Sequence, residues 1–315
     1  MSKISVIGAG AVGSATAYAL LIQEVTNHVV LYDVATEKVE AEVLDLAHGT
    51  LYTGASRITG GSDIQETAGS DLVIITAGAK QKPGQSRLDL AGTNTAILQN
   101  LMPQLLNLSP EAIFILVTNP CDVLATVAQR LSGLPPARVF ASGTVLDSAR
   151  LRWLLAERLG VASASVHAYI IGEHGDSEFA LWSQARVGPI PLADWRLADG
   201  SRLSAEDFEQ IALEVKNAAY RVIQGKGATN YAIGLSAAKI ASAILSDSNE
   251  ILPVSSVLSG YHGISGIALS VPTIVNRSGA VRPLDLAMTA AEQAKLKNSA
   301  DAITANLVSL GYSLN

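Results

Sequence analysis

The sequence predicts an α/β protein: a Rossmann doubly wound parallel sheet followed by an α+β half. Three observations carry that prediction. Short runs rich in Val, Ile and Leu alternate with helical patterns through the first half of the chain. The runs are continuously apolar, as strands covered on both faces require. The first of them ends in "GAGAVG", a glycine-rich turn that opens a helix.

Taken in order, "ISVIG" reads as the first strand and "AVGSATAYALLIQ" as the helix behind it. "HVVLYD" is a second strand ending at Asp33, and "TEKVEAEVLDLAH" the next helix. "DLVIITAG", "AIFILVT" and "RVFAS" supply three more strands. After Ser142 the texture changes, which divides the chain into residues 1–142 and 143–315. The second part has longer helices. In "AEDFEQIALEVKNAAYRVI", Phe208, Ile211, Val215, Ala219 and Val222 share one face. Antiparallel strands are expected in "ILPVSSVLSG" and "IALSVPTIVNRSG". The last helix opens on a capping box from Thr289 to Glu292 and can end at Gly311. With no linker or repeat between them, the two parts are expected to share an interface and a site.

At 315 residues and 49% hydrophobic, the chain can bury a full core. A net charge of −6 argues against a nucleic-acid or anionic-membrane partner. The single cysteine, Cys121, cannot form an internal disulfide and reads as a small packing residue. No apolar block approaches bilayer length, and Met1 leads almost directly into a strand without a signal-like segment. The expectation is a cytoplasmic protein.

Within the glycine turn, Gly8 makes the tight turn, Gly10 lets a pyrophosphate approach the backbone, and Gly13 lets helix and sheet touch. The helix end then faces the phosphates. Asp33 stands twenty residues beyond Gly13, where a carboxylate can take both ribose hydroxyls. A 2′-phosphate would be repelled there and "DVATEK" offers it no arginine, so NAD is favoured over NADP.

Three constellations could serve a reaction. "AGAKQKPGQSRLDL" follows a strand at the ligand-binding edge; Arg87 is either a surface arginine or part of a closing lid. "VLDSARLR" sets Asp147 and Arg150 on one helical face, as a simple ion pair or as an orienting carboxylate and a carboxylate-gripping fork. "IIGEHGDS" offers His174 as an acid/base, as a metal ligand beside Glu173 and Asp176, or as a loop histidine.

"GAGAVG", "LDLAHG", "AGAKQKPGQSRLDL", "LVTNPCDV", "LDSARLR" and "IIGEHGDS" together resemble the lactate/malate dehydrogenase family across nearly the whole chain. The resemblance implies that His174 carries the proton, with Asp147 orienting it and no metal involved. It implies that Arg150 holds the substrate carboxylate, that Arg87 closes over the carbonyl, and that Asn119 and Thr229 contact the substrate. Gly8, Gly10, Val12, Gly13, Asp33, Lys38, Gly78, Ala79, Val117, Asn119 and Ser142 would contact NAD. Malate-using relatives carry arginine where this chain has Gln81. A neutral Gln would leave a second substrate carboxylate unpaired, at a cost on the order of a thousandfold in rate, so pyruvate/lactate is expected over malate. Arg152 and His167 match a fructose 1,6-bisphosphate effector site of bacterial members, whose activation should weaken as the imidazole loses charge. A homotetramer is implied. Because the chain opens on its first strand, that tetramer is expected to be a weak dimer of dimers. Tyr220 reads as amphipathic surface.

Overall fold

The fold follows from where the apolar runs can find partners. The structure, a computed structural model, describes residues 2–79 and 87–313, the side chains of residues 87 and 88 excepted. Strands β1 (Lys3–Ile7), β2 (His28–Tyr32), β3 (Arg57–Gly61), β4 (Leu72–Ile75), β5 (Ile113–Leu116) and β6 (Val139–Ala141) form a parallel sheet in the order β6-β5-β4-β1-β2-β3. β1, β4 and β5 are buried almost throughout. Their apolar sequence, interrupted in β1 by Lys3 and the buried Ser5, is what a sheet covered on both faces needs. Helices α1 (Ala11–Ile22), α2 (Thr36–Gly49), α3 (Arg87–Leu108) and α4 (Cys121–Ser132) cover it. β3, "RITGG", carries no continuous apolar run, so pattern reading passes over it; it sits at the edge and, among the described residues, pairs with β2 alone.

The second part begins with α5 (Val145–Leu159), which ends on Gly160 in the left-handed conformation. Short strands follow: β7 (Val166–His167), β8 (Ile170–Ile171), β9 (Phe179–Ala180), β10 (Arg186–Val187) and β11 (Ile190–Pro191). Helices α6 (Ala205–Lys226) and α7 (Tyr231–Leu245) precede β12 (Glu250–Leu252), β13 (Ser255–Val257), β14 (Ala268–Ser270), β15 (Thr273–Asn276) and β16 (Gly279–Pro283). The capping box at Thr289 and Glu292 opens α8 (Ala290–Ser309).

The antiparallel strands expected in the second part are present and divide between two sheets. β12, β15 and β16 form a three-stranded sheet of their own. β13 pairs with β6 and β14 with β13, so they extend the first sheet to eight strands. The shared face of α6 is buried over only part of its length: Ile211 and Val215 are buried, whereas Val222 is exposed. Among the described residues, no helix is long and apolar enough to cross a membrane.

Candidate active site

Because β1 through β6 run parallel, their carboxyl ends lie on one edge of the sheet. Gly8 follows β1, Asp33 follows β2, Gly78 and Ala79 follow β4, Val117 and Asn119 follow β5, and Ser142 follows β6. One edge therefore gathers most residues assigned to a dinucleotide, as this topology dictates. Lys38 is exposed on α2. The turn itself fits a pyrophosphate. A Cβ on Gly13 would stand 1.7 Å from the Gly8 carbonyl oxygen, and one on Gly8 2.7 Å from the Ala77 nitrogen, so both must be glycine. A Cβ on Gly10 would meet nothing within 4 Å, leaving an open approach to the backbone. The start of α1 has no side-chain cap and no acidic residue in its first turn, so its N–H groups remain available to an anion. Asp33 accepts hydrogen bonds from the Ala9 and Ala35 amides at 2.7 and 3.0 Å, which fixes its carboxylate beside the turn.

Below this edge, α5 is tied to β8 by its own first turn. The buried Thr144 hydroxyl donates to the Ile170 carbonyl at 2.6 Å, and Ser148 Oγ accepts from the Ile170 amide at 2.9 Å. That registers Asp147 and Arg150 against the loop that leaves β8. Gly172 lies at φ +95° and exchanges main-chain hydrogen bonds with Ser270 at 2.9 Å. The loop is held from further sides. The Asp122 carboxylate accepts from the His174 amide at 2.8 Å, Lys216 donates to the Asp176 carbonyl at 2.5 Å, and Ser299 donates to the Ser177 carbonyl at 2.7 Å.

The resulting cluster resolves the two readings of Asp147, which makes both contacts. Its Oδ1 accepts from Arg150 at 2.6 Å and its Oδ2 meets His174 Nδ1 at 2.7 Å. The Asp147 side chain is 2% exposed, so the pair works in a low-dielectric setting. Burial disfavours the charged ring of His174. The charge and hydrogen bond of Asp147, with Glu178 and Asp122 behind them, more than offset it and carry His174 up to about 9. Burial likewise opposes ionisation of Asp147, but His174 and Arg150 win and hold its carboxyl below the usual range. Burial and the Asp147 charge push Glu178 up to about 8. Asp122 rises to about 6 through burial, against the Ser255 hydroxyl and His174.

Asp147, Arg150, His174 and Asn119 line one cavity of about 270 Å³. Its wall also includes Leu90 and Ala91 from α3, and Lys216, Ala219, Tyr220 and Ile223 from α6. Tyr220 is thus more than amphipathic surface. Thr229 lies in the turn between α6 and α7 and does not line this cavity. Gln81 and the Arg87 side chain lie outside the described residues; Arg87 opens α3. Cys121 is buried, and burial pushes its thiol well up, as expected of a packing residue. Arg152 donates to the Ser163 carbonyl at 3.4 Å, just ahead of β7, and the exposed His167 on β7 pairs across to Arg186 on β10.

Sequence reasoning missed Asp122, Glu178 and Asn94. Asn94 joins the two sheet-edge loops, accepting from the Ala79 amide and donating to the Asn119 carbonyl, both at 2.8 Å. Asp122 had a legible signal: an acid followed by the largely apolar run "VLATVA", which is the buried part of α4. The carboxylates beside the imidazole are Asp147 and Glu178. Glu173 instead binds Ser177, and Asp176 faces α6.

Comparison with known proteins agrees with this architecture. The family model described as lactate/malate dehydrogenase, NAD binding domain, matches residues 2–141, and that of the alpha/beta C-terminal domain matches residues 144–310. The chain is 50% identical to an L-lactate dehydrogenase of Bifidobacterium animalis over 99% of its length and 98% of the relative's. It is 47% identical to one from a Synechococcus species, covering 95% and 96%. Among solved structures, a lactate dehydrogenase from a deep-sea metagenome library superposes with a TM-score of 0.94 at 39% identity, covering 99% of both chains. The minor L-lactate dehydrogenase of Enterococcus mundtii gives 0.93 at 41%, covering 98% of both.

Proposed function

The chain belongs to the lactate/malate dehydrogenase family, and on that premise we propose that it interconverts pyruvate and (S)-lactate with NAD as its cofactor. The observation that carries the reading is the His174–Asp147–Arg150 arrangement on one cavity, below a glycine turn built for a dinucleotide. We assign residues 1–142 to cofactor binding and 143–315 to the substrate half. When bound, NAD supplies or accepts the hydride at the substrate's C2.

The protein's own groups do the rest. Arg150 grips the substrate carboxylate with the donors that Asp147 leaves over. Protonated His174 gives its proton to the keto oxygen of pyruvate and, in the reverse direction, the neutral ring takes it from lactate. Asp147 keeps Nδ1–H pointed inward, so Nε2 is the exchanging atom. Arg87 stabilises charge developing on the oxygen and Asn119 hydrogen-bonds to it. Gln81 selects a methyl over a second carboxylate. In an absorbance assay with NADH, pyruvate should turn over far faster than oxaloacetate. The reverse preference would replace this reading with malate dehydrogenation.

The pH dependence follows in sign. His174 stays protonated up to about 9, so kcat/KM for pyruvate should hold through neutrality and fall as pH rises through about 9. For lactate it should rise over the same interval, because the neutral ring is then the base. Asp147→Asn removes the charge that offsets burial, so both limbs should move to lower pH. A limb that stays put in that variant would separate the titration from His174.

We also propose that Arg152 and His167 receive a phosphate of fructose 1,6-bisphosphate, with Arg186 across from His167 adding a third basic group. The effector should raise turnover, and Arg152→Gln should remove the response. Tyr18, Ile22, Leu44, Leu51, Tyr52, Tyr231 and Leu235 are large apolar side chains left exposed, and we read them as surface that the subunits of a homotetramer would cover.

A further inference from the structure

The inner face of the imidazole meets two carboxylates, and the reaction needs one. His174 Nδ1 lies 2.7 Å from Asp147 Oδ2 and 3.9 Å from Glu178 Oε2. One ligand-type atom from each of the three residues lies within 4.8 Å of the other two. We propose that this His–Asp–Glu triangle is an inhibitory site for a borderline divalent transition metal, with Zn²⁺ the type ion.

The donor set is right for that class of ion. Zn²⁺ takes imidazole nitrogen and carboxylate oxygen at about 2.0–2.2 Å in a tetrahedron, which sets ligand atoms roughly 3.4 Å apart. The Asp147–His174 contact would open and the Glu178–His174 contact close, by roughly 0.7 and 0.5 Å. The two carboxylates, within 4.8 Å of each other, would approach by up to about 1.4 Å, which rotation of both can supply. Arg150 occupies only Oδ1 of Asp147, so Oδ2 is the oxygen that faces the triangle.

Glu178 is the independent observation. Its side chain is 6% exposed, it comes from the far end of the loop, and the Gly175 amide is its main-chain donor. Among the described residues its nearest cationic group is the ring at 3.9 Å, outside hydrogen-bond range. A carboxylate offers about four acceptor sites, so one main-chain donor leaves it ligand capacity to spare. Asp147, His174 and Glu178 all line the cavity, which gives an ion a way in.

Binding involves no redox change. The Nδ1 proton leaves to solvent, as does any proton on Glu178, and three metal–ligand bonds replace the Asp147–His174 hydrogen bond. With Nδ1 occupied, the ring keeps its Nε2 proton but can no longer become an imidazolium by taking a second one. The proton exchange at Nε2 then stops. Mg²⁺, which prefers six oxygen ligands and holds its water, should not substitute.

The test uses the full chain without cofactor, and Zn²⁺ or Co²⁺ alone. Equilibrium dialysis should find a site on each chain that Mg²⁺ does not fill. In Glu178→Gln the half-saturating concentration should rise by about tenfold or more, as loss of a ligand should cost at least what loss of an outer-shell partner does. Turnover should fall with the same concentration dependence and return with EDTA, each variant measured against its own metal-free rate. In the unaltered protein, ¹⁵N-histidine spectra should show Zn²⁺ moving the Nδ1 resonance of His174, a readout that does not depend on any variant folding. Equal Zn²⁺ affinity in Glu178→Gln, or an unmoved His174 Nδ1 resonance when the ion binds, overturns the proposal. The inhibition arm rests on the lactate reading. Zn²⁺ held at this triangle in a protein inactive on pyruvate would sustain the site and count against that reading.

Discussion

Replacing His174 with Asn lowers pyruvate turnover by about 10²–10⁴-fold, the range for loss of a positioned general acid. The substitution isolates the proton. An Asn amide can still donate to Asp147 Oδ2, so the buried carboxylate keeps a partner on that side and Arg150 on the other. The glycine turn and Asp33 lie on other elements, so NADH binding should persist. Turnover is read by NADH absorbance and binding by NADH fluorescence titration. A variant with near-normal turnover would remove His174 from the chemistry. Lost turnover together with lost NADH binding would point to a structural role instead.

Arg150→Lys has the next largest effect, and it falls on a different constant. The guanidinium serves two acceptors at once: NH1 is on Asp147 at 2.6 Å, and the rest of the fork borders the cavity. A lysine keeps the charge but brings a single ammonium that cannot span both. Losing one charged hydrogen bond, about 1.5–3 kcal/mol, should raise the pyruvate KM roughly 10- to 150-fold. The saturated rate should fall by less, because the ammonium still neutralises the carboxylate. A KM unchanged from the parent would mean that the substrate carboxylate binds elsewhere.

Different residues were legible for different reasons. Gly8, Gly10, Gly13 and Asp33 could be read locally, because the turn, the helix start and the strand end follow from a few adjacent residues. His174, Asp147 and Arg150 could be named only as alternatives until several motifs were taken together. Each alone has an ordinary explanation as a loop histidine or an i,i+3 ion pair. Glu178 lies one residue past the quoted "IIGEHGDS", and nothing in its sequence surroundings says that it turns back towards the ring. Asn94 sits in a long helix among polar neighbours, and its two hydrogen bonds join loops that are 40 residues apart, Ala79 and Asn119.

The sequence by itself determined the parallel sheet, the dinucleotide turn and the family, because those properties are written in period, glycine placement and short-range spacing. Only the tertiary structure decided that β13 and β14 complete the first sheet. It alone decided that Asp147 serves His174 and Arg150 at once, and that a second buried carboxylate stands behind the ring. These are contacts between elements far apart in the chain, set by how α4, α5, α6 and α8 close around one loop. The charge on the imidazole depends on that enclosure, since the balance between burial and neighbouring charges exists only once the distances do.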